Sequence, residues 1–233
     1  MTPDQLTLGL VWFVAFLFST TLHEAGHAFA AFRLGDPTAY HGGQVSLNPW
    51  PHVRREPLGM VVVPLVSFAL GGWMFGWASA PYDPDWAMRH PRRAGLMALA
   101  GPLGNLLLVL LGGVTLRLGL QGGWLLPPAE GFGLDRLAVA ASPGAMEGLA
   151  ALLSVLFSLN LILFAFNLLP FPPLDGSAVV QLVLPEAWSR RYQELTRQPM
   201  LALAGILVAW KLFGTLFLPI LGVALTLLYS GLG

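Results

Sequence analysis

The chain has 233 residues, of which 55% are hydrophobic and only 10% charged, with mean hydropathy +0.68; soluble domains carry about 25% charged residues. So apolar a chain cannot cover itself with a wetted surface, which excludes a soluble globular protein, a disordered segment and a charged coiled coil. Twelve basic residues balance twelve acidic ones and cysteine is absent, which excludes a nucleic-acid footprint, a disulfide scaffold and any thiolate metal site.

In chain order, the first apolar stretch, 6–32, exceeds the ~20 residues that cross a bilayer as a helix. It lacks the basic flank and small-residue cleavage site of a secretory signal, so we expect it to stay in the mature protein. Stretch 58–78 is apolar but interrupted by Pro64, Gly71 and Gly72. Three further stretches, 93–118, 146–169 and 201–228, are each long enough to span. The last carries Lys211 near its middle and Pro219 beyond it, and is read as one kinked helix or two.

The excess of arginine on cytoplasmic loops arbitrates the ambiguous stretch. If 58–78 crosses, Arg33, Arg54, Arg55, Arg117 and Arg136 face Arg89, Arg92, Arg93, Arg190, Arg191 and Arg197, a balance that orients nothing. If it dips and returns, only Arg117 and Arg136 lie apart from the rest. We therefore expect a re-entrant segment, with the N-terminus outside and the arginine-rich face in the cytoplasm. Non-helical backbone at membrane depth must be surrounded by protein or water, so a water-filled cavity is expected too. The fold class is an all-α polytopic membrane protein, with about four to six transmembrane helices and a re-entrant β-hairpin or loop region after the first. It forms a single domain over 1–233, with a core of about 6–185 and a C-terminal transmembrane segment of about 200–230.

Chemistry concentrates inside the first span. His23 and His27 stand at i and i+4, on one helix face, where both imidazoles can reach one ion. Glu24 lies one position round, placed to act on a metal-bound water without ligating. Ionisable groups within a span are costly and mark function. A catalytic site with two histidines needs a third protein ligand and an open position. Of the acidic residues, only Glu24 and Asp175 sit deep in apolar surroundings. Asp175 follows Pro170, Pro172 and Pro173, which end the preceding helix. It is read either as the cap of a short helix running to Leu184 or, given the two histidines, as the third ligand. Both spans run toward the same face only if 58–78 does not cross, as the arginine count requires.

His23-Glu24-Ala25-Gly26-His27 and Asn167-Leu168-Leu169-Pro170-Phe171-Pro172-Pro173-Leu174-Asp175-Gly176 stand in this order within apolar segments. With Ala100-Gly101-Pro102-Leu103-Gly104-Asn105 they resemble the site-2 protease family of intramembrane zinc metalloproteases, in its small form without a PDZ or CBS domain. The resemblance implies one Zn2+ per chain on His23, His27 and Asp175, Glu24 as the catalytic acid and base, and Asn167 holding substrate or oxyanion. The implied activity is an endopeptidase that cuts within or near transmembrane segments of membrane-protein substrates, with metal-bound water as nucleophile. Its partners are then a transmembrane protein or peptide and the bilayer, with no nucleic acid. Its expected place is a prokaryotic cell membrane, the active site nearer the cytoplasmic face. Departures from the family pattern fall at Arg54-Arg55-Glu56-Pro57, Ser79 and Ser177; they leave the metal site intact and bear on substrate contacts.

Other residues keep two readings. Asn167 and Asn105 can each contact substrate or tie helices together. Gly43-Gln44-Val45-Ser46-Leu47-Asn48 alternates polar and apolar after a Gly-Gly turn signal, as a hairpin strand does. An unwound substrate can pair with a strand edge, so Val45 and Leu47 are expected to line the cavity and clamp it; a surface loop is the alternative. His41, His52 and His90 are read as solvated loop residues, and Trp50, Trp73, Trp77 and Trp86 as interfacial, with ordinary core as the alternative. Two rival functions use the same ligands. A metal transporter would repeat ionisable groups along several helices; a catalytically silent membrane scaffold has no need of the Glu24 carboxylate.

Overall fold

The computed structural model describes residues 2–231. Thr2 opens the first helix, α1 (Pro3–Leu34), through a reciprocal capping box: its hydroxyl accepts from the Gln5 N–H, and Gln5 Oε1 accepts from the Thr2 N–H at 2.9 Å. Gly35 ends it with φ of 103°, a left-handed conformation that glycine adopts without penalty. Short helices α2 (Thr38–His41) and α3 (Pro49–Arg55) follow.

Stretch 58–78 does not cross. A π-turn over Leu58–Val62 leads into α4 (Val63–Gly71); Pro64 lacks the N–H that a regular i to i−4 ladder needs there. The fourteen residues from Leu58 to Gly71 rise about 21 Å, short of the ~30 Å hydrocarbon core. Gly72, with φ of 75°, stops the helix, and the chain comes back without regular structure. The Trp77 N–H donates to Gly59 O at 3.2 Å. Ser79 Oγ then donates to Glu56 Oε1 at 2.6 Å and accepts from Arg55 Nε at 3.2 Å. Residues 56 and 79 therefore lie at the same end, as the arginine count required.

Helix α5 (Pro84–Arg89) precedes α6 (Pro91–Gln121), and α7 (Ala145–Asn167) follows it. Between α6 and α7 a two-stranded antiparallel sheet, β1 (Leu125–Leu126) and β2 (Val139–Ala140), pairs Leu125 with Ala140. The chain then enters α8 (Asp175–Val179), a 3-10 turn, the amphipathic α9 (Glu186–Thr196) and α10 (Pro199–Tyr229). Four helices, α1, α6, α7 and α10, are long and apolar enough to cross a membrane. The fourth is one helix through Pro219, with Lys211 exposed on its surface.

The core is α1, α6 and α7, drawn together where side chains are smallest. A Cβ on Gly26 of α1 would lie 2.9 Å from the Ala100 carbonyl of α6, and Gly112 of α6 faces the Phe157 backbone of α7. Helix α10 sits outside this trio. The Arg117 guanidinium donates to Leu227 O at 2.6 Å and Ser230 O at 2.7 Å, satisfying carbonyls that a helix end leaves orphaned.

Three expectations are corrected. No strand forms over 43–48. That segment is a loop in which Gln44 is buried, His52 Nε2 donates to Ser46 O at 3.0 Å and Ser46 Oγ accepts from the Asn48 N–H at 3.0 Å; side chains thus take backbone groups a strand partner would have used. His52 is accordingly buried rather than solvated. Trp86 is also buried, packed with Ala87 and Ala94 rather than lying at an interface.

Candidate metal centre

Helix α1 carries His23, Glu24 and His27 with ligand atoms all within 4.8 Å of one another. Each is less than a tenth exposed. The chain after α7 turns sharply: Gly176 lies so close to the Leu168 and Leu169 carbonyls that a Cβ has no room. This fold-back delivers Asp175 to the histidine face. Asp175 is the first residue of α8, behind Leu174 as N-cap, and its carboxylate makes no capping bond. Instead Oδ2 lies 3.1 Å from His23 Nε2 and Oδ1 lies 3.3 Å from His27 Nε2, while the two Nε2 atoms are 3.0 Å apart.

These separations test whether a metal fits. Zinc bonds of about 2.05 Å at tetrahedral angles hold ligand atoms about 3.3 Å apart. The three observed edges lie at or just below that value. Both rings spend Nδ1 on the protein: His27 Nδ1 donates to Met97 O at 2.8 Å, and His23 Nδ1 meets Asn105 Oδ1 at 2.5 Å. Their Nε2 lone pairs and an anionic oxygen then converge, an arrangement that repels itself unless a cation or shared proton lies among them. The donor set suits zinc. Helix α6 forms the back wall, since a Cβ on Gly101 would reach 2.7 Å from His23 Nε2. The Glu24 carboxylate makes no hydrogen bond among the described residues.

The remaining expected residues lie around this centre. Asn167 ends α7, part-buried, and its amide donates to Leu163 O one turn back, at 3.0 Å. Asn105 is wholly buried behind His23. Val45 and Leu47 border a cavity of about 350 Å³ whose floor is Leu22, Ala25 and Phe29 of α1. At 100° per residue those positions lie between a third and a half of a turn from the imidazole face. An occupant would therefore lie on a different face of α1 from the imidazoles.

Three contributors escaped the sequence reading: Met97, through its carbonyl, and Asn160 and Ser19, through side chains. Asn160 Nδ2 donates to Ser19 Oγ at 2.8 Å, and Asn105 Nδ2 donates to Asn160 Oδ1 at 2.8 Å. The available signal was a lone amide, Asn160, in the middle of an apolar span.

Comparison with known proteins agrees with this geometry. The model of Peptidase family M50 matches residues 11–210. The Bacillus subtilis protein named "Putative zinc metalloprotease YwhC" is 34% identical over 173 residues, covering 74% of this chain and 68% of its own length. Two proteins named "Putative zinc metalloprotease Rip2" also match. The Mycolicibacterium smegmatis one is 31% identical over 71% of this chain, and the Mycobacterium tuberculosis one 35% identical over 71%. The chain spans about half the length of these two relatives, 54% of each. No solved structure matches it at comparable stringency. With both motifs converging on one buried centre and the family model covering most of its length, the chain belongs to Peptidase family M50, the site-2 protease family, and is a multi-pass membrane metalloprotease.

Proposed function

We propose that this protein is a zinc-dependent intramembrane endopeptidase in which His23, His27 and Asp175 hold one Zn2+ and Glu24 moves the protons. The observation that supports it best is the convergence of two Nε2 atoms and a carboxylate at 3.0 to 3.3 Å. The names of the M50 relatives point to the same metal. Zinc, when bound, lowers the pKa of a water toward ~7 and polarises the scissile carbonyl. Glu24 takes the proton of the attacking water and returns it to the leaving nitrogen. Its burial and lack of another partner keep that carboxylate free for the task.

The substrate is a transmembrane segment that must unwind locally, because a helix hides its amides in its own hydrogen bonds. Asn167 binds the exposed substrate backbone or the developing oxyanion with the N–H and carbonyl that Leu163 leaves free. Val45 and Leu47 hold apolar side chains flanking the cut, in the cavity alongside α1. Asn105 is assigned to His23 instead of to substrate. The end bearing nine arginines faces the cytoplasm of a prokaryotic cell membrane. Metal conduction is disfavoured: among the described residues, His23, Glu24 and His27 form the one clustered group of metal-ligating side chains within the spans.

Elemental analysis of purified protein tests the reading. Wild type carries about one zinc per chain, and His23→Ala and Asp175→Ala carry none. Zinc absent from wild type after mild purification, or retained in Asp175→Ala, overturns the ligand assignment.

A further inference from the structure

Behind the metal centre runs a chain of buried side chains that touches neither metal nor substrate. Asn105 of α6, Asn160 of α7 and Ser19 of α1 are all at 0% exposure, and they join the three core helices. The direction of every bond in this chain follows from one main-chain atom. Leu156 O can only accept, and it lies 2.7 Å from the Asn160 amide, so the Asn160 NH2 faces it. That same NH2 donates to Ser19 Oγ. The Asn160 oxygen must then point the other way, where it accepts from the Asn105 NH2 at 2.8 Å. This leaves the Asn105 oxygen toward His23, and a lone pair there requires the proton to sit on His23 Nδ1. Nε2 is left bare, on the side of Asp175 and His27.

We propose that Asn160 and Asn105 form a directional amide relay that holds His23 in its Nδ1–H tautomer, which makes Asn160 a positioning residue for a metal it never touches. His27 needs no relay, because the Met97 carbonyl imposes the same tautomer directly. His23 has only a reversible amide beside it. An Asn105 side chain turned by 180° would offer NH2 to Nδ1, move the proton to Nε2 and block the ligand position. Asn160 prevents that turn. Outer partners of a metal-binding histidine are typically worth 10- to 100-fold in metal affinity.

This inference deepens the metal site proposed above, and its test separates the two. Zinc affinity of the full chain in detergent is measured by competition with a chromophoric chelator, and the Co2+-loaded forms are compared by visible absorption. Asn160→Leu, which removes the acceptor, is expected to weaken zinc at least tenfold and to alter the Co2+ bands. Asn160→Asp still accepts from Asn105 and is expected to stay within about threefold of wild type. Asn105→Asp accepts from His23 without any choice of direction and is expected to bind at least as tightly as wild type, whereas Asn105→Leu loses at least tenfold. If the amides serve packing alone, the order reverses: the leucine variants keep zinc and the aspartates, as buried charges, lose it. That reversal, or equal affinity throughout, overturns the relay while the metal site stands. Wild type that binds no zinc overturns both. Should Asn160→Leu fail to fold, the comparison of Asn105→Asp with wild type decides.

Discussion

Gly101 offers the sharpest test of how tightly helix packing and metal geometry are joined. In Gly101→Ala the new methyl carbon would stand 2.7 Å from His23 Nε2 and 2.5 Å from His27 Cε1. Non-bonded heavy atoms prefer about 3.5 Å or more, so the His23 ring must withdraw by roughly 0.8 Å and the His27 ring by roughly 1 Å. Metal–ligand distances tolerate about 0.2 Å, so the displacement exceeds the tolerance several-fold on two ligands at once. We expect zinc affinity to fall by at least 100-fold, or about 2.8 kcal/mol at 1.4 kcal/mol per decade. The metal-free fold should suffer far less. Overpacking costs about 1–3 kcal/mol, partly offset by the ~1 kcal/mol by which alanine exceeds glycine in a helix. Chelator competition gives the first quantity; thermal unfolding of the chelated protein, followed by tryptophan fluorescence, gives the second. Wild-type zinc affinity in Gly101→Ala would refute the placement of α6 against the imidazoles.

Further outcomes follow from other features. Glu24→Gln should retain one zinc yet lose at least 100-fold in cleavage of a transmembrane peptide in detergent, the usual scale for removing an acid–base group; cleavage within threefold of wild type would remove Glu24 from the chemistry. Val45→Trp and Leu47→Trp, filling the cavity beside α1, should each slow cleavage about tenfold with zinc content unchanged, and unaltered turnover in both would empty that cavity of substrate. Because the chain holds no cysteine, single cysteines report topology cleanly. An impermeant maleimide should label Arg54→Cys and Arg92→Cys from one side of intact cells or inverted vesicles, and Gly131→Cys only from the other. Labelling of Arg54→Cys and Arg92→Cys from opposite sides would mean that 58–78 crosses after all.

The spans were legible because lipid is a uniform solvent: twenty apolar residues read as a crossing whatever their neighbours. The site was legible for a different reason. The spacing of His23 and His27 is local and helical, and Asp175 stood out as a carboxylate with apolar surroundings whose one competing duty was to cap a short helix. Where the reading went astray, it lacked a partner in space. The alternation over 43–48 describes a strand only if an edge is there to pair with, and instead the His52 and Ser46 side chains take up its backbone. The return of 58–78 needed the whole arginine distribution, because Pro64 and Gly72 mark interruptions without saying which way the chain leaves. Asn160 was visible as a polar intruder, but the direction of its amide depends on Leu156 O, which no pattern of residue types encodes.

The fold-back that brings Asp175 to the histidines also orders events in time. About 150 residues separate His27 from Asp175 in the chain. At translation rates of about 5–20 residues per second, α1 emerges roughly 7–30 s before its carboxylate partner has been made. On the proposed ligand set, the first helix enters the bilayer with its metal centre incomplete. The proposed centre can close only after α6 and α7 have been made and the segment behind them has folded back, so on that reading the first helix alone cannot hydrolyse a peptide bond.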